Sequence, residues 1–291
     1  MLTLFTDTDT DICPEVAAEY GYKLISMPYN VDGKEIHPYV DYDEYDYHSF
    51  YDMLRSGVLP STSAIPESDY VKYFEPEFAA GNDILYVHFS AAMTMTFQGM
   101  DKVVAELLAK YPGRKFYSID TKGITIVSYL IVRELGDRLK AGMTAEEAVE
   151  WAEKEVNHYS QYFFADDLKF FRKSGRVSGL AATMGGLIGL RPVIHMNAAG
   201  RMESIGTVKG RAQVMERLLK YVEDYGDDIK GHRFIIGHTD ALELAHQMGD
   251  MLHRRFGDDL EIEYVCTNPT AGSHSGPNGV GVAFHSKGRQ E

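Results

Sequence analysis

Short apolar runs alternate with helix-period stretches through the first half of the chain. LTLFTD (Leu2–Asp7) reads as a strand, and residues 14–20 as the helix that follows. ILYVHF at 84–89 is a second strand, with a helical pattern over 96–111. KFYSID at 115–120 is a third, with a helix over 124–140. Strands that alternate with helices predict parallel pairing through right-handed crossovers. Ligands of such sheets sit at the C-terminal strand ends, where Asp7, Ser90 and Asp120 fall.

The pattern changes after one more helix. Thr144 and Glu147 form a capping box that opens a helix running to about residue 159. LRPVIHM (190–196), a turn at Asn197-Ala-Ala-Gly200, and RMESIGTV (201–208) read as an antiparallel hairpin. Helices near 211–223 and 240–255 flank the strand HRFIIGH, and EIEYVC and VGVAFH are the last strands. A lobe boundary is expected near residue 160, giving lobes 1–160 and 161–291 with a ligand cleft between them.

At 291 residues the chain can bury a large core without disulfide or metal. Its 44% apolar and 25% charged residues are those of a folded globular protein. The net charge of −14 sets it against nucleic acid and anionic membrane surfaces. Cys13 and Cys266, alone and far apart, read as reduced thiols. The opening has no basic or long apolar region of a signal peptide, and no run is long enough to span a bilayer, so the expectation is a cytoplasmic protein without membrane anchoring.

Several constellations invite chemistry. Asp7-Thr-Asp9-Thr-Asp11 fails as a calcium loop, because Ile12 and Ala18 stand where glycine and glutamate are needed. The simpler reading has Asp11 capping the helix after Pro14 and the others bonding the turn. Ser90 to Thr96 leaves a strand and enters a helix, so its hydroxyls suit either capping or receipt of an anion. No G-x-S-x-G surrounds Ser90, and no Walker lysine follows His274-Ser-Gly-Pro-Asn-Gly. That glycine-rich loop would let backbone approach a ligand, with His274 as donor. Residues 177–190 carry no charge beyond small and apolar side chains, which suits a core or an acyl tunnel. His246 and His253 read as surface histidines, and no metal site is expected. Arg172, Lys173, Arg176, Lys209 and Arg211 form a basic concentration suited to a solvated face or an acidic partner.

Taken in order, these segments resemble the DegV family, whose members include fatty-acid-binding subunits of bacterial fatty acid kinase. Thr6-Asp7-Thr8-Asp9-Thr10-Asp11 is similar to the family's T-D-S-x-x-D opening, Thr62-Ser63 to its T-S loop, and Ser90 to Gln98 to S-S-x-L-S-G-T-Y-Q. Asp120-Thr121 stands at D-S. Asp167-Leu168 with Ser174-Gly175-Arg176-Val177 resembles D-L…G-G-R-I, Arg191-Pro192-Val193-Ile194 resembles K-P-I-L, and His274-Ser-Gly-Pro resembles H-x-G-P-G.

The resemblance implies one DegV domain with a two-lobed DegV-like (EDD) α/β fold: a parallel-sheet N-terminal lobe and a C-terminal lobe with a largely antiparallel sheet. It implies a long-chain fatty acid between the lobes, its carboxylate held by Thr62, Ser90 and His274, with Ser63 and Thr94 as further candidates. It also implies a separate ATP-dependent kinase subunit that docks near Arg172, Arg176 and Lys209 and phosphorylates the presented acid. No cofactor and no catalytic residue in this chain are implied. Ala91, Met95, Ile65, Asn278 and Val127 depart from the family's pattern, and the Met95 and Ile65 changes bear on the length or shape of the acyl chain. Burial of a long tail contributes about 0.8 kcal/mol per CH₂, and the head group then needs donors. The competing reading is a stand-alone phosphotransferase or hydrolase using Asp7, Asp9 and Asp120.

Overall fold

The alternation of the first half builds a parallel sheet, and the strands after residue 158 build a mostly antiparallel one. The computed structural model describes residues 1–40, 45–179 and 189–290. Along the first half run β1 (Leu2–Asp7), α1 (Pro14–Tyr20), β2 (Tyr22–Ile25), β3 (Tyr29–Val31), β4 (Lys34–Ile36), α2 (Tyr47–Arg55), β5 (Ser61–Thr62), α3 (Glu67–Ala79), β6 (Asp83–His88), α4 (Thr96–Lys110), β7 (Phe116–Asp120), α5 (Ile126–Lys140) and α6 (Ala145–Glu155). The second half holds β8 (Tyr159–Phe164), α7 (Lys169–Ser174), β9 (Val177–Ser178), β10 (Leu190–Met196), β11 (Met202–Lys209), α8 (Arg211–Tyr225), β12 (Phe234–His238), α9 (Leu242–Phe256), β13 (Ile262–Cys266), α10 (Pro269–Ser275) and β14 (Val280–His285).

The first sheet has the order β2-β1-β6-β7, all parallel, with Leu4 opposite both Tyr22 and Leu85. The second has the order β13-β12-β14-β8-β10-β11-β9 and is mostly antiparallel; β12 with β13 and β11 with β9 are its parallel pairs. This is the mixed α/β architecture expected. The hairpin of β10 and β11 forms with a register shift at Val193 and Ile194. The capping box at Thr144 and Glu147 is formed. A third sheet, β4-β3-β5, joins the first half to α10.

Helix α5 explains how the layers meet. Nine of its residues, among them Ile126, Leu130 and Leu135, are buried, so it is apolar on more than one side. A helix of that kind lies between layers. It packs on α1 and the turn after β1, and on β8, β12 and β14 of the second sheet. One continuous core therefore includes Phe5 and Leu85 together with Ile194, Ile235 and Ala283. Of the uncharged stretch 177–190, residues 180–188 lie outside the described residues. Among the described residues no helix is long and apolar enough to cross a membrane.

Candidate functional site

Between α5, α10 and the second sheet lies a cavity of about 580 Å³, counted out to its open mouth. Its apolar walls include Ile124, Ile126, Phe163, Phe171, Met202 and Val280. Its polar lining is Thr125, Gln161, His238, Thr239, Thr267, His274 and Ser275, all neutral groups.

Helix α10 carries His274 to the edge of this space. Asn268 caps the helix by accepting from the Ala271 N–H at 3.0 Å, and Pro269 begins the first turn. Four bonds then fix it to the first half: Thr270 Oγ1 donates to the Met27 carbonyl (2.6 Å), Tyr51 Oη to the Thr267 carbonyl (2.9 Å), and Asn268 N–H and Nδ2 to Asp11 Oδ1 (2.8 and 2.7 Å). Thr62 lies on β5, opposite Tyr29 of β3. The result is a Thr62 Oγ1–His274 Nε2 hydrogen bond of 3.0 Å across 212 positions of sequence. Burial, and then the charge of Arg176, hold the His274 pKa down at about 4. The imidazole is neutral at pH 7.

The other residues singled out by sequence lie as follows. Ser90 is fully buried and donates to the Gly200 carbonyl at 2.7 Å, while its oxygen accepts from the Ala92 N–H, so its hydroxyl ties the first sheet to the β10–β11 turn. Ser90 is not among the lining residues of the cavity; Met93, three positions on, lines it, and the Ser90 N–H donates to the carbonyl of Gly123, next to the lining residue Ile124. Ser63 is exposed and bonds Glu35 and Asn30. Thr94 accepts from the Thr96 N–H at the start of α4. Arg172, Arg176 and Lys209 are exposed, and Arg176 donates to the Ser174 carbonyl.

The acidic opening differs from its expectation. Asp11 does not cap α1; Cys13 occupies that position without a side-chain bond. The Asp11 carboxyl instead receives Asn268, a partner too remote in sequence to be inferred locally. Asp7 does bond the turn, accepting from Asp9 N–H, and also from Tyr86 and the Phe89 N–H. Burial raises all three pKa values, to about 7 for Asp9 and about 8 for Asp11. Asp120 accepts from the Lys122 and Ala91 N–H groups. Among the described residues no three His, Cys, Asp or Glu side chains are grouped to hold a metal ion.

Sequence reasoning missed the cavity's interior residues Thr125, Gln161, His238 and Thr267. One signal was available: Gln161 and Ser160 are polar positions in the otherwise aromatic run of β8. Thr125 had none. Its backbone sits at φ +54°, a conformation rare for a β-branched residue, and its N–H donates to the Asp9 carbonyl at 2.7 Å.

Fold and cavity together define an α/β protein built around an apolar compartment with a polar edge, a binding architecture. Residues 1–287 match the family described as uncharacterised protein, DegV family, and the chain belongs to it. A DegV domain-containing protein of Clostridium perfringens is 28% identical over 282 residues, covering 97% of this chain and 96% of that one. A stearic acid-binding protein from Eubacterium ventriosum shares the fold with a TM-score of 0.87 at 18% identity, over 97% of each chain. A Thermus thermophilus DegV family protein, described by its fatty acid binding, gives 0.84 at 22% identity, over 98% of this chain and 99% of that one.

Proposed function

We propose that this protein binds a long-chain fatty acid in the cavity between its two lobes, 1–160 and 161–291, and presents the carboxylate to a separate ATP-dependent kinase subunit that forms the acyl phosphate. The observation that carries the reading is the Thr62–His274 pair at the edge of an apolar compartment without charged lining. An acyl tail gains from burial in such a space, at about 0.8 kcal/mol per CH₂. A bare carboxylate could not follow it in, but hydroxyl and imidazole donors at the edge would satisfy it. Arg176 adds to this: the positive field that disfavours the imidazolium of His274 favours an anion beside it. Ser90 joins the carboxylate set in this reading by turning its hydroxyl from the Gly200 carbonyl. The relatives that hold fatty acids give the same direction.

For docking of the kinase the reading uses Arg172, Arg176 and Lys209, exposed cations on a protein of net charge −14. The first two lie on the segment that also supplies Phe171 to the cavity wall. An ATP-dependent partner places the protein in the cytoplasm. The protein carries and presents the acid, and the phosphoryl chemistry belongs to the partner. Asp7, by contrast, is buried and bonded within the fold, Asp9 is buried with its backbone N–H on Asp7, and Asp120 already receives two backbone N–H groups, which favours structural roles over catalysis.

Native mass spectrometry of the purified protein tests the binding. The expected result is a co-purified mass of an acid of roughly 14 to 18 carbons, with retention reduced about 10- to 100-fold in His274→Ala and less in Thr62→Val. A protein that arrives empty and ignores added oleate would overturn the reading.

A further inference from the structure

The cavity is not uniformly greasy. Beyond the Thr62–His274 pair, Thr125, Gln161, His238 and Thr267 line it with free hydrogen-bonding capacity. Gln161 Oε1 accepts from the Val127 N–H at 3.0 Å, which leaves the amide Nε2 as its open end. His238 Nδ1 accepts from the Ala241 N–H at 3.2 Å, and burial keeps this imidazole neutral, so its hydrogen is on Nε2. The hydroxyls of Thr125 and Thr267 have no hydrogen-bond partner among the described residues. Gln161, His238 and Thr267 are 2%, 4% and 8% exposed, so bulk water does not serve them. Thr125 beside them is half-buried. Polar groups whose open side faces an apolar cavity leave bonding capacity unused, and this cluster asks for an occupant.

These groups adjoin one another. The Thr267 N–H donates to the His238 carbonyl at 2.9 Å, and Gln161 holds the first turn of α5 just after Thr125. Thr267 precedes the N-cap of α10 and His274 lies in its last turn, so about 10 Å along the helix direction separates them.

Resting on the fatty-acid reading above, we propose that this set receives an oxygen carried part-way along the acyl chain, which makes the ligand a hydroxy- or oxo-fatty acid. The chemistry selects a neutral oxygen. No charged side chain lines the cavity, so a second carboxylate, a phosphate or an ammonium group would lack a counter-charge there. A hydroxyl or ketone oxygen can accept from the Gln161 amide and the His238 Nε2–H, and a hydroxyl can also donate to a threonine oxygen. The competing occupant is ordered water, which the same polar partners would suit.

Competition on the delipidated wild-type protein separates the two. Palmitic acid is offered with an equal amount of each mid-chain hydroxypalmitic acid, and native mass spectrometry reads which mass is retained. The expected result is a preference of at least about tenfold for one hydroxyl position, because a site built around polar groups discriminates against the analogue that leaves them unpaired. Thr267→Val and Gln161→Met are expected to bring that ratio down to about one. If palmitic acid is retained as well as every hydroxylated isomer, water fills the polar set; the inference fails and the fatty-acid reading stands. If no acid of either kind is retained, both fail together. The wild-type competition decides the matter even if a variant does not fold.

Discussion

Burial leaves Asp9 and Asp11 reluctant to ionise, and that couples stability to pH. An unfolded aspartate titrates near 3.9, whereas these two titrate at about 7 and about 8 in the fold. Between about pH 4 and 8 the folded protein therefore holds protons that the unfolded chain releases, and their contribution to stability falls as pH rises through that window. His238 and His274 act in the opposite sense. Their folded values of about 4 lie below the unfolded value of roughly 6.5, so their contribution is complete above 6.5 and is lost as pH falls towards 4. Asp11→Asn isolates one of these effects. Asparagine tolerates the φ of +57° at this position, and its Oδ1 still accepts from Asn268. The melting temperature of the variant relative to wild type should climb steadily from pH 5 to pH 8. A constant difference would mean that Asp11 ionises normally. The Asp11–Asn268 pair also marks where sequence reading stops at this scale. The nearest helix start was a reasonable partner for the carboxyl, but the real partner is 257 residues away.

At the scale of elements, the end of the cavity is set by one helix against two strands. Gly237 of β12 and Gly281 of β14 are opposite each other in register, and Ile126 of α5 fills the notch between them. A Cβ at Gly237 would lie 2.3 Å from Ile126 Cγ2, and one at Gly281 would lie 2.6 Å from Phe163 Cβ, so only glycine admits the helix this closely. Ile126→Ala should open that notch and shift the retained acid towards longer chains in a competition of graded lengths read by mass. It should also lower stability by about 2–5 kcal/mol, as a large-to-small change in a core does. Gly281→Ala should move the preference towards shorter chains. An unchanged length preference in both variants would place the chain terminus elsewhere. The elements that build this wall were legible, because β12, β14 and α5 are long enough to show their period. The short ones were not. The two- and three-residue strands β3, β4 and β5 carry too little pattern to register, and α10, seven residues with an internal glycine, reads as part of the glycine-rich loop that follows it. Those are the elements that bring Thr62 to His274, so the meeting of the two residues was implied by family resemblance and by no local pattern.

For the whole molecule, a compartment lined from both halves would make a bound acid part of the core. The continuous core already runs from Phe5 to Ala283 through α5, and the cavity lies along that same seam. A ligand that binds the folded state alone stabilises it by mass action, by about 2.7 kcal/mol at a concentration one hundred times its dissociation constant. For a chain of this size such a gain raises the melting temperature by roughly 5 °C. Stripping the acid should therefore lower the melting temperature by about that amount, and adding palmitate back should restore it. The charge of −14 works on a different quantity. It opposes the approach of an anionic acid at long range, so uptake at low salt should be slow and should quicken as salt screens the field, by stopped-flow displacement of a fluorescent acid. The dissociation rate depends on the buried tail and should hardly respond. If salt instead accelerates release and erases the difference in melting temperature, charge holds the ligand in place of burial, and the apolar wall around Ile126 and Phe163 has been given the wrong role.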